Sequence, residues 1–189
     1  MRRLFTLLLL ITCFGCVPHA DYPLGSIDDA PDDTFLLGTW FWNEEADSGY
    51  IHIGRVPKSP LLDLVMVTRY RDGSMTVSEF NGHLSTLGDD TYLNLKWLHQ
   101  PQTPISGYLL VKVTAGPQSL KIGLLSGQAM EEAVNSGLLE GAVDGNGWGS
   151  TVRITASPEK LRAFFIGRGK ELFPETAQLS RLSLPAKAG

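Results

Sequence analysis

From residue 36 onward, apolar side chains recur at every second position in short runs broken by turn residues, the period of half-buried strands. Residues 36–42, Leu-Leu-Gly-Thr-Trp-Phe-Trp, begin the series and place Gly38, Trp40 and Trp42 on one face. Residues 50–56 alternate, and 61–70 form a longer strand rich in Leu, Val and Met. Arg71-Asp72-Gly73 has the Asp-Gly signature of a tight hairpin, 74–87 returns, and Gly88-Asp89-Asp90 makes the next turn. In 91–97 the alternation predicts Leu93, Leu95 and Trp97 facing in and Tyr92, Asn94 and Lys96 facing out. Residues 105–115, a Gly116-Pro117 turn and 119–125 make another hairpin.

The period changes twice in the second half. After Ser126, a capping residue, Met130, Ala133 and Val134 share one helical face, Glu131 and Glu132 favour the N-terminal end, and Gly137 ends the helix. A last strand is expected at 150–156. Ser157-Pro158-Glu159 then starts a second helix with an N-cap, a proline at the first helical position and an early carboxylate. Its buried stripe is Leu161, Phe164 and Phe165, and Gly167 and Gly169 supply the stop. The tail 171–184, with Phe173, Leu179, Leu182 and Leu184, is expected to fold back as an extended segment. Successive strands joined by short turns form a meander that must curl closed or expose its edges. The fold class expected is therefore mainly β: an antiparallel up-and-down barrel of about eight strands with two short helices in the C-terminal half.

The first 34 residues do not belong to this pattern. Arg2 and Arg3 precede an apolar run over 4–11, too short for the roughly 20 residues that span a bilayer and therefore read as a cleaved export signal. Pro18, Pro23 and Pro31 interrupt 17–34, and Asp28, Asp29, Asp32 and Asp33 repel one another with no apolar face among them. This stretch reads as a flexible tether with a reach of about 20–25 Å. Four domain segments result: signal peptide 1–15, a modified Cys16 with the tether to 34, a single barrel domain 35–184 and a disordered tail 185–189.

Composition sharpens the address. Both cysteines, Cys13 and Cys16, lie in the signal region, so the mature chain carries no disulfide framework and no Cys-based metal site. Removing residues 1–15 takes away two of the sixteen basic residues and no acidic one, which moves the net charge from −4 to −6. Nucleic acid is excluded as a partner on this balance, since phosphate recognition wants a basic footprint.

Gly15-Cys16 after the apolar run resembles the bacterial lipobox, with Cys13 and Phe14 at its softer positions. The resemblance implies cleavage between Gly15 and Cys16, a thioether-linked diacylglycerol on Cys16 and a further acyl group such as palmitate on its new N-terminus. The alternative is an ordinary signal cut after Ala20, against which Pro18 stands. Val17 at the position after the modified cysteine implies the outer membrane, facing the periplasm. Gly38-Thr39-Trp40 ahead of the strands is similar to the Gly-x-Trp signature of lipocalins, in which the Trp closes the barrel floor. Leu36-Leu37-Gly38-Thr39-Trp40, Tyr92-Leu93-Asn94-Leu95, Glu140-Gly141, Ser157-Pro158-Glu159-Lys160-Leu161 and Leu172-Phe173 also resemble a bacterial lipoprotein family with no assigned activity. What these likenesses imply is a lipocalin-like barrel.

Motifs for chemistry do not assemble. Ser157-Pro158-Glu159-Lys160 fits Ser-x-x-Lys, but no Ser-Asp-Asn or Lys-Thr-Gly accompanies it, and a helix cap explains the same residues. Residues 144–149 match the start of a calcium loop without its later acidic ligands. His52, His83 and His99 lie at no zinc-ligand spacing. Asp63 and Glu79 are placed to pair with Arg55, Arg69 or Arg71 across a hairpin. The expectation is a non-enzyme without a cofactor, since nucleophile, base and oxyanion donor are not found together. Two function classes remain. One is an envelope lipoprotein whose barrel, lined by residues such as Trp40, Met66, Leu95 and Val111, holds a lipid or other small apolar ligand. The other is a barrel filled by its own side chains that docks an envelope protein. Trp40 and Trp42 fit either core packing or a ligand lining.

Overall fold

In the computed structural model, which describes residues 17–45, 47–98, 106–145, 151–169 and 171–182, the two-residue period becomes an inside and an outside. The barrel strands are β2 (Gly38–Asn43), β3 (Asp47–Arg55), β4 (Leu62–Tyr70), β5 (Met75–Leu87), β6 (Asp90–Trp97), β7 (Tyr108–Ala115) and β8 (Ser119–Leu124), with β11 (Glu175–Arg181) as the eighth. Each pairs antiparallel with the next in that order, and β11 returns to β2 through Ser180–Phe41 and Arg181–Trp40, so that eight strands close. The register carries one face around the wall: Trp40 lies beside Ile51, Ile51 beside Met66 and Met66 beside Ser78. The turns follow the local chemistry. The Asp72 carboxylate accepts from Ser74 N at 2.8 Å, and Gly73, at φ 85°, takes the left-handed position.

Outside the barrel lies a second layer, and most departures from the sequence reading come from it. β1 (His19–Ala20) pairs antiparallel with the start of β7 and parallel with β10 (Thr151–Ile154), which pairs with β9 (Gly141–Asp144). Helices α1 (Gly127–Asn135) and α2 (Pro158–Arg168) complete it. Ser126 and Ser157 cap them as expected, accepting from Ala129 N at 3.2 Å and Lys160 N at 3.4 Å. The core between this layer and the wall holds Leu24, Tyr92, Leu110, Met130, Leu161 and Phe165.

Three expectations change. The segment read as a flexible tether is built into the fold from Val17 on: Pro18, Ala20 and Leu24 are buried, and β1 has strand partners on both sides. Three of its aspartates are locally occupied: Asp33 pairs with Arg55, Asp21 holds Arg153 at 2.8 and 3.0 Å, and Asp32 accepts from Thr34. That burial and pairing offset the ordering entropy that composition alone left uncompensated. Tyr92 and Asn94 do point out of the barrel, but the second layer covers them, leaving 1% and 0% of their surface exposed. The strand at 150–156 lies outside the barrel as β10, and the tail supplies the closing strand. Residues 185–189, called a disordered tail from sequence, lie outside the described residues, as do 1–16.

Candidate functional site: the barrel cavity

Trp40 lies in the floor of the barrel, at the end where β2 begins. Its indole is fully buried and its Nε1 donates to the Leu36 carbonyl at 2.8 Å, in the short 3-10 turn Thr34–Leu36 that precedes β2. The Arg181 guanidinium stacks 4.2 Å from the ring centroid and donates to the carbonyls of Leu37 (2.8 Å) and Phe35 (2.7 Å). A cation over an indole face, with its protons on carbonyls, ties the first and last barrel strands and the turn into one lock. Gly38 belongs to it: its φ of 127° suits glycine, and a Cβ there would lie 3.0 Å from Arg181 Nη1.

Above this floor is a cavity of about 200 Å³. Met66, Leu95 and Val111 line it as expected, together with Ile51, Ile53 and Leu93. Trp40 does not; it belongs to the floor, and Trp42, two residues on, lines the space instead. The Trp42 ring needs Gly49 opposite, since a Cβ at that position would come within 2.5 Å of the indole. At this end of β2 the lining turns polar. Trp42 Nε1 donates to Asp47 Oδ1 at 2.7 Å, Asp47 is only 8% exposed, and Thr68, paired with Gly49 across β3 and β4, joins them. Glu44, an exposed residue on the turn that leads from β2 to β3, also borders the space. Val17 also lines the cavity, so the chain enters its domain at the barrel wall.

The remaining candidates scatter. Gly15 and Cys16 lie outside the described residues, as do His99 and 146–149. Ser157 is a helix cap, and Lys160 pairs with Glu140 on the surface. His52 Nδ1 shares a hydrogen bond with the Thr39 hydroxyl (2.9 Å), and His83 Nε2 one with the Gly25 carbonyl (2.9 Å). Arg55 pairs with Asp33 and Arg71 with Glu45. Among the described residues no group of three or more His, Cys, Asp or Glu side chains is placed to hold a metal ion. Burial and the neighbouring Asp90 push the Tyr92 phenol up to about 12, so it stays protonated and packs edge-on against Phe165. Sequence reasoning passed over Arg181, Asp47 and Thr68. The only sequence signal for Asp47 is an acid on the inward parity of an alternating strand, and Arg181 gave none, because its partners are more than 140 residues away.

No protein-family model matches the chain, and no curated protein or solved structure is significantly similar to it.

Proposed function

We propose that this chain is a cell-envelope lipoprotein, anchored through acylated Cys16 in the outer membrane, whose lipocalin-like barrel binds a lipid segment or another small apolar molecule without catalysing a reaction. The observation that supports it best is the cavity: a locked floor, apolar walls from Met66, Leu95 and Val111, and about 200 Å³ of space. An apolar cavity of roughly 150 Å³ is enough to take up benzene, whereas drug-sized sites begin near 300 Å³. The ligand is therefore a small molecule or a short part of an acyl chain. The Gly15-Cys16 lipobox supports the address. Among the described residues no helix is long and apolar enough to cross a membrane, which is compatible with a lipid anchor.

Saturable uptake of naphthalene, followed by its fluorescence, is expected for the well-folded chain and should vanish in Val111→Trp. In parallel, Cys16→Ser should leave an uncleaved or soluble precursor. Membrane fractionation and processing like the wild type would rule the anchor out, and no uptake by folded protein would rule the binding role out. The second reading, a docking module, then stands. It has its own observation on the outer wall, where the exposed Phe41 lies beside the exposed Tyr50 and, across the buried Val67, the 62%-exposed Val77 continues the row.

A further inference from the structure

The polar part of the cavity lining has one chemical character. Among the described residues, its ionisable members are Glu44 and Asp47, Thr68 adds a hydroxyl, and no Lys, Arg or His side chain lines the space. Trp42, Asp47 and Thr68 meet across three adjacent strands, because Trp42 and Thr68 both pair with Gly49, two residues after Asp47. A carboxylate as enclosed as Asp47 needs partners, and buried charges are ordinarily paired. Trp42 supplies one neutral donor, on Oδ1, and a carboxylate accepts about four hydrogen bonds. The nearby cation Arg71, on the turn into β5, is held outside the cavity by Glu45 at 3.0 Å.

We propose that the barrel selects small amphiphiles with a cationic, hydrogen-bond-donating head, of the primary alkylammonium class, over alkyl carboxylates. The alkyl body lies between Met66, Leu95 and Val111, and the ammonium is received by Asp47 with Thr68 beside it. An alkanoate in the same pose sets its charge against Asp47 in a poorly solvated space, which repels it and leaves both carboxylates without a cation. The hydroxyl of an alkanol gives Asp47 a donor but no charge, so alkanols fall between the two.

The inference rests on the binding role proposed above, and three probes of equal chain length separate the two. Full chain refolded without detergent is titrated with hexylammonium, hexanol and hexanoate near pH 7, with affinities read by calorimetry. Hexylammonium should bind at least tenfold more tightly than hexanoate, with hexanol between. In Asp47→Asn, which keeps an acceptor for Trp42, that preference should shrink to about twofold while hexanol binding persists. Equal or tighter binding of hexanoate by the wild type overturns the head-group assignment and leaves the binding role intact, as does an unchanged preference in Asp47→Asn. Binding of none of the three overturns both. The wild-type comparison needs no variant to fold.

Discussion

Arg181 shows how one side chain can fasten two ends of a chain. It bonds two carbonyls of the turn before β2 while covering the Trp40 ring, so the cation is satisfied by dipoles and a π face with no carboxylate among the contacts described above. Charge-assisted bonds of this kind contribute about 1.5–3 kcal/mol, and a stacked cation adds roughly 0.5–1 kcal/mol. Arg181→Ala should therefore lower stability by about 2–3 kcal/mol in urea unfolding, and Arg181→Lys, with no planar fork, should recover only part of the loss. A wild-type midpoint in Arg181→Ala would mean that the floor is held by Trp40 and Leu36 packing alone. Asn94 is the counterpart outside the wall: its side chain accepts from Leu24 N (2.8 Å) and donates to the His83 carbonyl (3.1 Å) and the Ser85 hydroxyl (2.8 Å). One buried amide thus stitches the N-terminal segment to β5 and β6.

Helix α2 and strand β1 act as covers over the outer face of the barrel. α2 contributes Leu161 and Phe165, and Phe165 meets Tyr92 and Phe173 at centroid distances of 5.7 and 6.0 Å. Phe165→Ala should cost on the order of 3–5 kcal/mol as a core truncation. Lys160→Ala removes only an exposed ion pair with Glu140 and should be nearly silent. A tolerated Phe165→Ala beside a damaging Lys160→Ala would turn this helix from cover to active element. The cap at its start is real chemistry: hydrogen bonds from its own backbone and the Ser157 side chain hold the Glu159 carboxyl below its usual range.

At the scale of the molecule, β1 is the seam between barrel and second layer, and His19 sits in it. Burial first, then the Arg153 guanidinium, holds its imidazole below the ordinary value of 6.5, and its Nδ1 is buried with no hydrogen-bond partner among the described residues. The unfolded chain therefore takes up a proton before the folded chain does. The stability this residue contributes is complete above pH 6.5 and is lost as pH falls from there through the depressed folded value. Unfolding midpoints of wild type and His19→Gln should run parallel above pH 7 and converge as pH falls below 6.5. Parallel curves throughout would remove His19 as the cause. The same seam bears on anchoring: if Cys16 is acylated, the domain rides close to the membrane surface, because Val17, the next residue, already lines the barrel cavity.

The sequence by itself determined strands β2 to β8, their turns and both helix caps, because each depends on neighbours within a few residues: alternation for the strands, Asp72-Gly73 for a turn, Ser126 and Ser157 for the caps. Of the four residues named for the lining, Leu95 rested on parity, and Met66, Leu95 and Val111 line the cavity while Trp40 does not. Only the tertiary structure decided which strand closes the barrel, which outward side chains are covered, and that 17–34 is part of the domain. Those outcomes rest on partners far along the chain, Arg181 with Leu37 and Asn94 with Leu24, and an alternating pattern is the same whether its outer face meets water or a second layer. For the same reason Trp40 and Trp42, indistinguishable by parity, part ways: Arg181 makes one the floor, and the space opposite Gly49 turns the other toward Asp47 and the cavity.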